Sequence, residues 1–265
     1  MSDRPVALIT GASSGIGAAL AATLAADGYD LVLVARRRER LEMLEKELAD
    51  AGAASEVIAV DLSERAGIQL VADRAAAGDI DVLVSNAGVS AYGPFEEIAP
   101  EDLDRAWTLN ADAAPFLARA ALPGMLERGR GGIITVSSAL AFSAGAPPRA
   151  GGGRAMPKRA LYVSAKAGLV AFARVLATEL DGTGVHSMVL CPGLVSSEWN
   201  DGASRVPVAM SPEDVATAAW AGFTSGEVVC LPGLEDLGPL DRLAKAELEM
   251  ASGNITPQLA TRYQG

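Results

Sequence analysis

Histidine and cysteine are almost missing from this sequence. His186 is the only histidine, and Cys191 and Cys230 are the only cysteines. Imidazole and thiolate metal centres need clusters of such residues at set spacings, so no metal site is expected. Each cysteine follows an apolar run, and the two read as buried thiols rather than as a disulfide. Cations are short as well: 22 Lys+Arg against 33 Asp+Glu leaves a net charge of −11. That balance argues against nucleic acid or an anionic membrane surface as the main partner. No apolar run approaches the roughly 20 residues of a membrane span. The N-terminus lacks the basic segment and apolar core of a secretory signal. A cytoplasmic setting is therefore expected. Neither an internal repeat nor an interdomain linker is visible, so 1–265 is expected to be one domain.

What is abundant is apolar residues, half of the chain, many of them alanine. Apolar runs at 5–9, 30–35, 56–60, 81–85, 132–137, 185–190 and 227–231 suit buried parallel strands. Helical patterns lie between them. Leu41, Leu44 and Leu48 mark one helix face, and a long helix is expected over 100–128, with Pro115 bending or dividing it. Another runs through Tyr162 to about 180, and Ser211-Pro212-Glu213-Asp214 is a capped helix start. This alternation predicts an α/β fold, a doubly wound seven-stranded parallel sheet with helices on both faces.

Two short motifs carry chemistry. The first is Thr10-Gly11-Ala12-Ser13-Ser14-Gly15-Ile16-Gly17, between the first strand and a helix marked by Ile16, Leu20 and Leu24. Glycines let a backbone turn sharply and approach a pyrophosphate, and a helix N-terminus offers free N–H groups to phosphate. The spacing is G-x-x-x-G-x-G rather than G-x-G-x-x-G. Alone, it equally describes a tight turn with no ligand. The second motif is Tyr162-Val163-Ser164-Ala165-Lys166. Four helical residues leave the two side chains about 40° apart on one face. An ammonium beside a phenol lowers the phenol pKa and makes it a proton donor and acceptor nearer neutrality. Alone, the pair is better read as an ordinary amphipathic helix.

Together with Asp61-Leu62, Asn86-Ala87-Gly88, Asn110, Ser137-Ser138 and Pro192-Gly193, these motifs occur in an order that resembles the short-chain dehydrogenase/reductase family. The likeness covers almost the whole chain and implies a Rossmann-like fold. It implies that Tyr162 donates a proton to the substrate oxygen and that Ser138 hydrogen-bonds that oxygen. Lys166 would lower the tyrosine pKa and grip the nicotinamide ribose. Asn110 would hold a water linking Lys166 to solvent. For the cofactor, the resemblance implies contacts from Gly11, Ser13, Ser14, Gly15, Ile16 and Gly17. Asp61 and Leu62 would meet the adenine, and Asn86, Ala87 and Gly88 its ribose. Pro192, Gly193, Val195 and Ser197 would lie at the nicotinamide. A homo-tetramer or homo-dimer built through the long helices is implied as well.

Cofactor type can be argued from charge. An acid at the end of the second strand would bind the 2′-hydroxyl of NAD. Here Ala35 is followed by Arg36, Arg37 and Arg38. Cations face the wrong end of a helix dipole at its N-terminus. A bound 2′-phosphate would offset this, so NADP(H) is predicted, with Arg36 as first contact and Arg37 as second. The stretch between Ser138 and Tyr162 is longer than the family's usual spacing. Its extra piece, a loop over 143–160, holds Pro147, Pro148, three consecutive glycines from Gly151, and the cations Arg149, Arg154, Lys158 and Arg159. It is expected near the active-site mouth, either as a cationic lid for an anionic substrate or as a passive surface loop. A substrate loop is expected over 196–211, with Trp199 and Met210 as apolar walls. His186 is expected to be structural. The activity implied is NADP(H)-dependent interconversion of a ketone or aldehyde and an alcohol. The alternatives are an epimerase or dehydratase using the same cofactor, and a non-catalytic NADP(H)-binding sensor or scaffold.

Overall fold

Short runs of Val, Leu, Ile and Ala pair side by side into a single sheet. The structure is a computed structural model, describing residues 4–145, 156–199 and 206–264. The strands are β1 (Val6–Thr10), β2 (Asp30–Ala35), β3 (Ser55–Ala59), β4 (Ile80–Ser85), β5 (Gly131–Val136), β6 (Val185–Leu190) and β7 (Val229–Cys230). Their order is β3-β2-β1-β4-β5-β6-β7, and every pairing is parallel. Central strands are covered on both faces and so are apolar at nearly every position; β4 is buried throughout. β7 has one neighbour and pairs only through Val189↔Val229 and Leu190↔Cys230. It is therefore shorter than the run at 227–231 predicts.

Helices cover the two faces. On one side α1 (Gly15–Ala26), α2 (Arg38–Asp50) and α7 (Pro212–Thr224) pack around Leu20, Leu24, Leu41 and Val215. On the other, α3 (Arg65–Ala75), α5 (Ala113–Arg128) and α6 (Ala160–Glu179) enclose Ile68, Leu117 and Leu176. The Ser211 hydroxyl accepts from Asp214 N at 3.0 Å and caps α7 as predicted. α6 corrects one expectation. By length and composition its 20 residues could cross a membrane, the one such helix among the described residues. Half of that stretch is buried within the protein, and it packs against β5 and β6, as a core helix does.

The helix predicted over 100–128 is interrupted just before Pro115. α4 (Pro100–Trp107) ends in a π-helical turn, Thr108–Asp112, and α5 follows. The backbone stays helical from Trp107 through Ala113, so Pro115, which lacks an N–H, leaves a carbonyl of the preceding turn, Asn110 or Ala111, without its helical donor. The widened turn centres on Asn110. The α/β unit spans Met1–Pro232; Gly233–Gly265 forms a second unit whose helix, α8 (Gly238–Gly253), buries no residue.

Candidate active site

In a parallel sheet whose order reverses between β1 and β4, the crevice outside the strand C-termini is left open. Thr10 fixes its geometry. The Thr10 Oγ1 accepts from Asn86 N at 2.9 Å and Ala87 N at 3.0 Å, tying the ends of β1 and β4. Asn86 Nδ2 donates to Thr10 O at 2.9 Å. Its amide thus braces the glycine turn rather than reaching freely for a ligand. A cleft of about 1190 Å³ opens above these contacts.

The turn is shaped for close approach. Gly11 and Gly15 have φ of 69° and 57°, a region that favours glycine. A Cβ on Gly17 would collide with the Gly11 carbonyl and lie 2.6 Å from Asn86 Nδ2. α1 begins with no side-chain cap and no acid in its first turn, so its N–H groups face the cleft unanswered. This cradle fits a pyrophosphate.

Asp61, at the end of β3, accepts from Ser63 N at 2.9 Å and Ser63 Oγ at 2.8 Å. Arg36 and Arg105 stand 3.8 and 3.5 Å from its other oxygen. Burial raises its pKa, but the Ser63 hydrogen bonds and the two arginines outweigh it and hold the carboxyl below its ordinary value. Arg37 lies against the glycine turn, donating to Ser13 Oγ at 3.0 Å and Ser14 Oγ at 2.9 Å. Both Arg36 and Arg37 line the cleft.

Another wall of the cleft is built by the residues that follow β5 and by α6. Beyond β5, Ser137 N donates to Leu190 O at 2.8 Å and Ala139 N to Pro192 O at 2.9 Å, holding Ser138 in place. Ser138 Oγ accepts from Leu140 N at 3.2 Å, which leaves its proton to donate. Ser137 Oγ donates to the Lys166 carbonyl at 2.8 Å, and Lys166 Nζ donates to Val136 O at 2.9 Å. Two bonds therefore pin α6 to the strand end. Tyr162 and Lys166 share the face that their spacing predicts, with Nζ 6.0 Å from the phenol ring centroid. The rings of Tyr92 and Trp199 flank Tyr162 at 5.1 and 6.1 Å.

The proton states differ from the sequence-based expectation. Tyr162 is 5 % exposed and Lys166 3 %. Burial, reinforced by Tyr92 and only partly opposed by Ser138, raises the Tyr162 pKa. Burial lowers Lys166 to about 8, with Cys191 opposing. The acidification of Tyr162 by Lys166 is thus not found, because the ammonium is directed to the Val136 carbonyl and both groups sit out of water. The phenol instead keeps its proton, as a general acid requires.

All the predicted site residues line the cleft except Gly17 and Asn110. Gly17 lies beneath the turn. Asn110 is buried behind Gly88, where Oδ1 accepts from Val89 N and Nδ2 donates to Val89 O, each at 3.0 Å. Those two bonds use one lone pair of Oδ1 and one N–H of Nδ2 and tie the side chain to the segment that follows Gly88. Ser143 and Met156 bring both ends of the 143–160 loop to the cleft. Arg159 donates to Ser143 Oγ and O, each at 3.2 Å, and Lys158 pairs with Glu96 at 3.2 Å. Those two cations therefore already have partners; Arg149, Arg154, Pro147, Pro148 and the Gly151 run lie outside the described residues. Sequence reasoning missed Tyr92, Arg40 and the pairing role of Glu198, none of which stands in a motif.

The pattern of the short chain dehydrogenase family matches residues 5–205. The chain belongs to that family. Among curated members, a short chain dehydrogenase of Pseudocercospora fijiensis is 39 % identical over 72 % of this chain and 60 % of its own length. The chain thus spans less than two thirds of that relative. The NADP-dependent 3-hydroxy acid dehydrogenase of Escherichia coli K12 is 33 % identical, covering 81 % of this chain and 87 % of that one. Among solved structures, a short-chain dehydrogenase from Sphingobium yanoikuyae in complex with NADPH superposes with a TM-score of 0.89 at 32 % identity, over 98 % of this chain and 100 % of that one. The bulky-bulky ketone specific alcohol dehydrogenase of Comamonas testosteroni gives 0.88 at 28 % identity, over all of both chains. His186 is away from the cleft, with Nε2 2.9 Å from Glu227 O, and Cys191 and Cys230 are free, buried and both pushed up to about 12 by burial.

Proposed function

We propose that this short-chain dehydrogenase is an NADP(H)-dependent oxidoreductase interconverting a ketone or aldehyde with an alcohol. The observation that carries the reading is the convergence of a protonated Tyr162 and a proton-bearing Ser138 on one cleft, beside an uncapped helix N-terminus and a glycine turn. When bound, NADP(H) supplies or accepts the hydride. Gly11 to Gly17, Asp61, Leu62, Asn86 to Gly88 and the 192–197 segment would hold it, with Arg36 and Arg37 at the 2′-phosphate.

The chain's own residues handle the proton. Ser138 donates a hydrogen bond to the carbonyl oxygen and fixes its position. Tyr162 gives its proton to that oxygen in reduction and accepts one from the alcohol in oxidation. Lys166, lowered by burial to about 8, returns a proton to the Tyr162 phenolate, and the neutral amine takes its replacement from solvent through the cleft that both residues line. The aromatic wall of Tyr92 and Trp199 suits a carbonyl with apolar substituents. We also propose a homo-oligomer, for which the exposed Phe116 and Leu126 on α5 offer apolar surface, and a cytoplasmic setting consistent with two free thiols.

Tyr162→Phe tests the mechanism. Turnover should fall by roughly 10²–10⁴-fold, while NADPH titration shows binding largely retained. Near-normal turnover in a folded variant would refute the assignment.

A further inference from the structure

Arg37 and Arg40 share one carboxylate from the opposite lip of the cleft. Glu198, beyond β6, accepts from Arg37 Nη1 at 2.9 Å through Oε2. Arg40 Nη1 donates to Oε1 at 2.7 Å and to Oε2 at 2.8 Å. Hydrogen bonds from Arg40 and Arg37 pull the Glu198 carboxyl down to about 2, so it is an anion at any working pH. The other two nitrogens of Arg37 donate to Ser13 and Ser14 in the glycine turn. Each of its three nitrogens therefore has a partner, and a single N–H, the second on Nη1, is left over.

This inference rests on the cofactor reading above, which puts a 2′-phosphate at the start of α2. A phosphate monoester carries nearly two negative charges near neutrality, and its oxygens seek the same guanidinium donors. A second anion against Arg37 would find one N–H not already engaged and would meet like-charge repulsion from Glu198. We infer that Glu198 is a specificity-determining residue whose carboxylate occupies the arginine site that a 2′-phosphate needs, so that binding of a 2′-phosphorylated nucleotide proceeds by exchange with Glu198.

The local backbone allows the exchange. The segment is fixed upstream by the Val195↔Met210 bridge and by Ser196 N donating to Met210 O at 2.8 Å. Glu198 lies beyond that anchor, and both it and its partners are 42–43 % exposed. Its side chain can leave without breaking β pairing. A nucleotide with a free 2′-hydroxyl brings no competing charge, and Glu198 stays on its arginines.

The test is calorimetric titration of the full chain with adenosine 2′,5′-bisphosphate and with 5′-AMP, for wild type, Glu198→Gln and Glu198→Ala. Both variants should bind the bisphosphate roughly three- to tenfold tighter, the scale of losing two exposed ion pairs, with 5′-AMP changed by less than about twofold. Unchanged or weaker bisphosphate binding in the variants, with the wild type still preferring it over 5′-AMP, overturns the exchange and leaves the cofactor reading standing. A wild type that shows no such preference overturns both.

Discussion

Replacing Lys166 by methionine keeps the length of the side chain and removes a buried amine. Its effect on stability should depend on pH in a calculable way. The ammonium falls from its ordinary 10.5 to about 8 in the folded protein because burial disfavours the charged form. The unfolded chain therefore binds the proton more tightly than the native one, and the protonated native state is penalised. At about 1.4 kcal/mol per tenfold change, the fall is worth roughly 3 kcal/mol. Below about 8 the penalty is fully present, and it disappears as pH climbs past 10.5. Methionine has no such term. Wild type should thus gain on Lys166→Met by roughly 2 kcal/mol between about pH 6 and about pH 9.5, from the same linkage. For a domain of this size that is about 4–8 °C in melting temperature. Loss of the hydrogen bond to Val136 adds a constant offset, and carboxylates and other groups common to both proteins cancel in the difference. Urea unfolding at four or five pH values measures it. A wild-type-minus-variant difference that stays flat, or that shrinks as pH rises, would show that Lys166 is not held in a dry, charge-averse site.

Arg36→Asp should weaken NADPH binding by roughly 10–100-fold, the range of a lost charge-assisted hydrogen bond, and leave NADH nearly unaffected; a coenzyme preference that does not move would remove Arg36 from the 2′-phosphate. Gly17→Ala should cost about 1–3 kcal/mol through overpacking against the Gly11 carbonyl and Asn86, with nucleotide affinity falling alongside; a variant that melts and binds like wild type would show that the turn has room to relax.

The layers of this protein are readable in its sequence because the central strands are buried on both faces and the helices packed on them on one. Burial on both faces produces continuous apolar runs, and burial on one produces a 3.6-residue period, so β2 and β6 fall on the residues predicted and the other strands within two. The Tyr162–Lys166 pair is legible for the same reason, since four helical residues fix a shared face whatever surrounds them. Proton affinity is different. The raised phenol and lowered ammonium follow from how much water is excluded and from where Nζ points, and no local spacing encodes either. The contact of the Asn110 side chain with Val89, 21 residues away, is likewise tertiary, whereas the π-helical turn lies just before Pro115, the residue the sequence points to. The bridge from Glu198 to Arg37 joins residues 161 positions apart. Sequence determines what each segment can be, through forces acting within a few residues; contacts between segments, and the dielectric they create, exist only once the sheet has closed and brought those segments to one cleft.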